Sequence, residues 1–359
     1  MNFHLTYLVL FCSALLLPSQ AQVLSLKELA KQPVYTELDS TPLITYAFQL
    51  KGCKPQCTTQ LTEVYQLTKL QKLIASNNQI KYISDSIAQL KNLQILDIRW
   101  NNLKELPDTI TQLKELKRLE IYWNRLKKLP IDMGNLAKLK VLNLGNNKLE
   151  ELPESIGKLA KLKELQLNNN KLQKLPTSFS DLGQLQHLDL SNNKLDSLPQ
   201  NFYLLQNIQT LDLSNNQDLD LSQVFQQLSS LEKLRILKLN NSNLNKLPTI
   251  IEELRTLQEL HLLSDRLTTI PKTVMKLTEL QQLSIGGNNN LNLKKIIPTL
   301  AALPKLKKLT LKGKNLAKLN KSIEQLQSLE VLFLGNAILS EGKIKQLKKW
   351  LPNVDIHEF

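Results

Sequence analysis

The sequence predicts an α/β solenoid, curved like a horseshoe, with a parallel β-sheet on its concave face and an irregular or short-helical convex face. Three observations predict it. One pattern of leucines returns every 23 residues through about three quarters of the chain. Each unit opens with a two-residue apolar alternation, which suits a short strand. Each then turns through Gly, Asn or Ser and closes on a Leu-Pro and a looser apolar return.

The unit is clearest at LKVLNLGNNKLEELPESIGKL, Leu139 to Leu159. Its apolar positions are Leu139, Leu142, Leu144, Leu149, Leu152, Ile156 and Leu159. The same frame starts at Leu70, Leu93, Leu116, Leu139, Leu162, Leu185 and Ile208. It resumes at Leu234, Leu257, Leu280, Leu306 and Leu329, which makes twelve coils. One coil cannot bury its own leucines, so coils must stack around a continuous core with one strand each. Strands crowd to ~4.8 Å, while the return segments need more room, and the stack bends with its sheet inside the arc. The pattern resembles the leucine-rich repeat, L-x-x-L-x-L-x-x-N-x-L, in the variant that continues L-P-x-x-I-x-x-L. The resemblance implies the same horseshoe and a binding scaffold, with export from a bacterial cell as the expected setting.

Asn101, Asn124, Asn147, Asn170, Asn193, Asn216 and Asn288 hold the Asn of the frame. An amide carries both donors and an acceptor, so it can pair turn backbone that the sheet leaves unpaired. Pro107, Pro130, Pro153, Pro176, Pro199, Pro248 and Pro271 fix φ near −65° in the return. The coils from Ile208 and from Leu280 run 26 residues and lack the Leu-Pro. Their longer apolar returns (Val224, Leu228, Leu231; Ile296, Leu300, Leu303) predict genuine helical turns. The Asn is lost at Ser242, Asp265, Lys314 and Ala337. A lysine cannot accept a hydrogen bond, so the C-terminal coils are expected to be looser.

Residues 1–21 read as a secretory signal. Leu5 to Leu17 is apolar, and small Ser19 and Ala21 fit cleavage before Gln22. The run is short for a spanning helix. No second long apolar run follows, so no membrane insertion is expected after cleavage. Secretion, or a periplasmic or cell-surface location, is the corresponding expectation. Residues 22–69 fall outside the frame and read as an N-terminal cap, with a short helix over Ser25–Ala30 and a strand over Val34–Leu38. Cys53 and Cys57 lie there, and export favours a disulfide between them; no nearby His or further Cys completes a metal site. Residues 70–339 are the repeats. Residues 340–359 read as a C-terminal cap: a helix over Ser340–Leu351 with Ile344, Leu347 and Leu351 inward and Lys343, Lys345, Lys348 and Lys349 outward, then a thirteenth strand at Leu351-x-x-Val354-x-Ile356.

Alternation points the non-leucine strand residues out of the concave sheet. Their central column begins Ile74, Asp97, Glu120, Asn143, Gln166, Asp189 and Asp212, then becomes neutral to basic at Lys238, His261, Ser284, Thr310 and Phe333. Beside it, coils two and three carry Arg99-Trp100 and Tyr122-Trp123 where coils four to seven use Gly, Ser and Asn. Trp, Tyr and Arg anchor interfaces. The candidate binding patch is therefore Asp97, Arg99, Trp100, Arg118, Glu120, Tyr122 and Trp123. A secondary basic patch is Lys238, Lys308 and Lys312. His261 reads as an ordinary polar residue.

These features point to a non-enzymatic scaffold for a protein partner, with a surface polysaccharide as the alternative ligand because aromatic faces beside carboxylates also suit sugar rings. No cofactor is implied. His187, His261 and His357 sit in separate coils with no nucleophile or metal spacing. The net charge of +14 comes nearly all from lysine, a point charge suited to diffuse attraction. Nucleic acid is not expected as a partner of an exported chain.

Overall fold

A computed structural model describes residues 24–36, 45–50, 57–335 and 339–358. Among them, fourteen short strands form one open parallel sheet, from β1 (Ala47–Gln49) to β14 (Asp355–His357), each paired with its sequence neighbour. The register is set by the inward leucines: Leu73, Leu96, Leu119, Leu142 and Leu165 face one another across successive strands. All five are fully buried. They belong to one hydrophobic cluster that runs from Phe48 to Leu351.

The twelve predicted coils and the strand after them are present, and the sheet also extends one strand further toward the N-terminus. β1 lies within the segment read as a cap, and Tyr35 bridges to Phe48 beyond it. β1 escapes the repeat pattern because an edge strand needs only an inward apolar residue, here the fully buried Phe48. Before it, α1 (Leu26–Leu29) is a single turn with Ser25 and Glu28 in a reciprocal capping box. Leu24 ties this segment to the sheet: its N–H donates to Gln71 Oε1 at 2.9 Å, and Gln94 Nε2 donates to its carbonyl at 2.6 Å. Helix α2 (Cys57–Val64) feeds Leu61 and Val64 into the end of the core. Cys57 opens that helix, while Cys53, residues 1–21 and the rest of the predicted strand after Thr36 lie outside the described residues.

The asparagines work as a ladder between coils. Asn147 Oδ1 accepts from the Leu126 N–H of the coil before (3.0 Å). Its Nδ2 donates to Leu144 O (3.0 Å) and to Ile121 O (3.2 Å). The same three partners recur at Asn124, Asn170, Asn193, Asn216 and Asn288. The ladder starts one coil earlier than the pattern suggests, because buried Asn78 already donates to Leu50 O and Ser76 O. In most of the short coils the return is a 3₁₀ turn entered through proline, as at Pro153 (φ −69°) before Glu154–Lys158; the coils from Leu70 and Leu306 use Ser84 and Asn320 instead.

Both long coils hold the predicted helices. α3 (Leu221–Leu228) is capped by Asp220 and buries Val224, Phe225 and Leu228. α4 (Leu293–Ala301) is capped by Asn292 and buries Ile296, Ile297 and Leu300. At the far end α5 (Glu341–Trp350) covers the core with Leu347. One expectation fails there. Lys343 does not point away: it donates to Leu319 O and lies 5.3 Å from the Trp350 ring centroid. Where Lys314 replaces the asparagine, the coil passes through Gly313 at φ 118° into a 3₁₀ turn over Lys314–Lys318.

Asp265 sits in the ladder as a misfit. Its Oδ1 accepts from Ser242 N (2.7 Å) and Leu244 N (3.3 Å), as an amide oxygen would. Its Oδ2 is buried with no hydrogen-bond partner, where the other coils have a donating NH₂. Burial pushes this carboxyl up to about 6, against the two backbone donors that pull it down. A carboxyl raised above its unfolded value stabilises the fold below about 4, and that contribution is lost as pH rises through about 6. Asp265→Asn supplies the missing donor at every pH. The variant should be more stable than the parent by about 2–3 kcal/mol above pH 7, with the gap closing between pH 6 and 4. Paired thermal melts across that range measure it.

Candidate functional site

The candidate patch lies on β3 (Ile95–Asp97), β4 (Arg118–Glu120) and the turns that follow them. Those turns have a fixed demand. The residue seven places after each coil start is left-handed at Asn77, Asn146, Asn169, Asn192, Asn215, Asn241, Ser264, Gly287 and Gly313. Gly and Asn are the residues that visit this region routinely. Coils two and three place Trp100 (φ 56°) and Trp123 (φ 57°) there instead. The backbone hydrogen bonds of the turn are kept, with Trp100 N donating to Tyr122 O and Trp123 N to Gly145 O, both at 3.0 Å. The conformation is imposed on the tryptophans by the coils around them.

The strain is appreciable. A left-handed residue with a large side chain costs about 1–2 kcal/mol. The two indoles stack face to face, 4.7 Å apart and 8° from parallel, and such a pair contributes about 0.5–1.5 kcal/mol beyond burial. One pair does not offset two strained residues. Trp100 and Trp123 are also 49% and 48% exposed, so neither fills the core. Exposed, strained and stacked aromatics are features from which a binding role can be argued.

The surrounding polar groups hold this ridge and cancel one another's charge. Arg99 Nε is 3.2 Å from Asp97 Oδ2. Its Nη1 donates to the Tyr122 hydroxyl at 2.6 Å, and its guanidinium stands 5.4 Å from the Tyr122 ring centroid. Tyr122 in turn meets Trp100 edge-on at 6.4 Å. Arg118 Nη1 bonds Glu120 Oε1 at 2.7 Å. Asp97 is 8% exposed; burial pushes its carboxyl up, and Arg99 works against that. All seven predicted residues therefore fall in one constellation.

Other residues complete it. A shallow cavity of about 420 Å³ opens beside Trp123, floored by Asn143, Glu164 and Gln166 and walled by Asn146 and Asn168. These are the same sheet and turn columns continued into coils four and five, and that continuity is the signal that could have found them.

The second predicted patch is spread over four strands of the sheet. Lys238 is tied to Asp212 at 3.6 Å. Lys308 lies three strands further along the sheet, and Lys312 follows in the same coil as Lys308. His261 Nε2 is 3.2 Å from Glu259 Oε2, an ordinary surface pairing. Among the described residues, no three His, Cys, Asp or Glu side chains are grouped to hold a metal, and no helix is long and apolar enough to cross a membrane.

Comparisons with known proteins agree with this architecture. A profile of the leucine-rich repeat region matches residues 44–142, 131–240 and 211–354. Curated protein sequences give no match. Among solved structures, the chain is similar to a leucine-rich repeat protein of Leptospira interrogans, with 28% identity over 91% of this chain and 100% of that one, at a TM-score of 0.58. It is also similar to the ectodomain of the Arabidopsis thaliana receptor kinase GASSHO1/SCHENGEN3, solved in complex with CASPARIAN STRIP INTEGRITY FACTOR 2. There the identity is 29% over 77% of this chain and 35% of the receptor's, at a TM-score of 0.61. An internalin of Listeria monocytogenes shares the fold at 20% identity over 84% of this chain and 93% of its own, with a TM-score of 0.64.

If the tryptophans serve binding rather than folding, exchanging both for the residue that the turn prefers should cost little. In Trp100→Asn/Trp123→Asn, relief of strain offsets lost burial, and the unfolding free energy should stay within about 1 kcal/mol of the parent. Leu119→Ala, in the core beside them, should cost about 2–5 kcal/mol. Urea titrations of the three chains make the comparison.

Proposed function

Because the chain belongs to the leucine-rich repeat family across residues 44–354, and because its concave rim carries strained, exposed aromatics, we propose that it is a binding scaffold whose partner is a protein docked over Trp100 and Trp123. The observation that carries the reading is the left-handed tryptophan pair. Aromatic anchors flanked by arginine are what protein interfaces concentrate their energy in. Here the anchors are already stacked and braced by Tyr122 and Arg99, so little freedom is lost on docking. The charge around them is internally paired, which favours a partner that contributes apolar surface and neutral hydrogen bonds over one attracted by net charge.

Support also comes from the Arabidopsis receptor ectodomain, a repeat stack of similar build solved with a bound factor. Similarity to the leptospiral protein and the apolar segment at residues 5–17 support an exported chain that acts at or outside the cell surface. The role is recognition, not catalysis. A second reading rests on the cavity beside Trp123, whose amide lining (Asn143, Gln166, Asn168) against an indole face suits a neutral sugar ring.

A pull-down with residues 22–359, run beside Trp100→Ala/Trp123→Ala at low and at high salt, tests the proposal. A protein partner retained in salt and lost in the variant is the expected outcome. A partner indifferent to the variant but shed by salt would place binding elsewhere. Release of the partner by simple neutral glycans would favour the sugar reading.

A further inference from the structure

On the opposite edge of the same coils, the residue just after each coil-opening leucine or isoleucine leads into the strand. Six coils have glutamine there: Gln71, Gln94, Gln186, Gln209, Gln258 and Gln281. Gln71 and Gln94 are occupied in holding Leu24. Coils three, four and five have lysine instead, at Lys117, Lys140 and Lys163, while coils eight, eleven and twelve have Arg235, Lys307 and Glu330. These three are directly linked through the backbone: Lys140 N donates to Lys117 O and Lys163 N to Lys140 O, both at 2.8 Å. Their side chains therefore leave the same edge one strand apart, ~4.8 Å between neighbours. Like charges directly opposite one another on neighbouring strands are destabilising, and the neutral glutamines of six coils show that the fold does not require them.

Beside the first row, the residue just before the coil opener is Lys138 in coil four and Lys161 in coil five; coil three has Glu115 at that place, with Lys114 one residue earlier. Lys138 is paired with Glu115 at 2.6 Å, Lys114 donates to the Thr111 carbonyl at 3.0 Å, and Lys117 donates to Gln94 Oε1. Among the described residues no carboxylate lies within ion-pair reach of Lys140, Lys161 or Lys163, and all three are exposed. Six cations thus face one nearby anion, Glu115, along three consecutive coils. The Lys117 ammonium is pushed down by burial and further by Lys140 and Lys138, with Glu115 opposing.

We propose that this double row of lysines binds a linear polysaccharide bearing repeated carboxylate or sulfate groups, at a surface separate from the tryptophan ridge. A regular anionic chain laid along the edge would meet one cation per strand and relieve the repulsion between them. The composition argues against other polyanions. All six are lysines, with neither the arginines that read bases nor the aromatics on which bases stack. The exposed apolar neighbours are Ala137 and Ala160, too small to insert into a lipid surface.

The test uses the intact chain with four probes: alginate oligomers, dextran sulfate of matched length, neutral dextran and double-stranded DNA. Lys117→Gln/Lys140→Gln/Lys163→Gln adopts the residue that six other coils use, so it should fold and melt no lower than the parent. A control, Lys148→Gln/Lys171→Gln/Lys194→Gln, removes the same charge from the turn side. The parent should bind alginate or dextran sulfate in a salt-sensitive way and ignore dextran. The first variant should weaken that binding by about tenfold or more, while the control and Trp100→Asn/Trp123→Asn should leave it unchanged. Failure of the parent to bind either anionic polysaccharide would overturn the proposal. Equal loss in the control, or tighter binding to DNA, would do the same. None of these outcomes bears on the protein-docking ridge, whose test reads a different edge.

Discussion

What the structure depends on is the pairing of backbone at the corner where each strand ends. The sheet ladder satisfies N–H and C=O groups only along its three-residue strands. Past them the chain turns into the interior, where an unpaired polar group is costly. The buried asparagine resolves this with three hydrogen bonds, one closing the turn of its own coil and two crossing to the coil before. Leucine burial supplies most of the driving force, but it is non-directional. The amide makes each coil stop at the same place, which keeps the inward leucines in register.

That constraint also shapes the face available for binding. The turn next to each asparagine is held left-handed, and nine coils answer with Asn, Ser or Gly. Placing tryptophan there is possible because the neighbouring coils over-determine the backbone: the turn keeps its hydrogen bonds whatever side chain it carries. The scaffold bears the strain, and the side chain gains a fixed position on the rim. The rigidity that makes the repeats monotonous is thus what lets two of them present an ordered aromatic ridge.

Much of this was legible in the sequence, because a period of 23 residues records inward and outward positions directly. The leucines, the helices of the long coils and the seven residues of the ridge all follow from position in the frame. What escaped did so for physical reasons. Asn78 was hidden because Ala75, just past its strand, stands where the pattern expects leucine. β1 was hidden because an edge strand carries no repeat. The left-handed strain at Trp100 and Trp123 is a property of the backbone, visible beforehand only as a column of Asn, Ser and Gly in other coils. Lys343 looked outward on its helix, yet the Leu319 carbonyl beside it draws it in. The pairing of Lys238 with Asp212 joins two coils at the boundary between the acidic and basic stretches of one column.

The two long coils carry a wider lesson. Three extra residues enter each return segment and become α3 and α4 on the convex side. On the concave side Leu211 still faces Leu237, and Leu283 still faces Leu309, with no shift of register. Insertions on the outer wall are therefore silent on the inner one. The two surfaces of the horseshoe can diversify independently: the back can gain or lose a helix while the geometry offered to a ligand stays as it was.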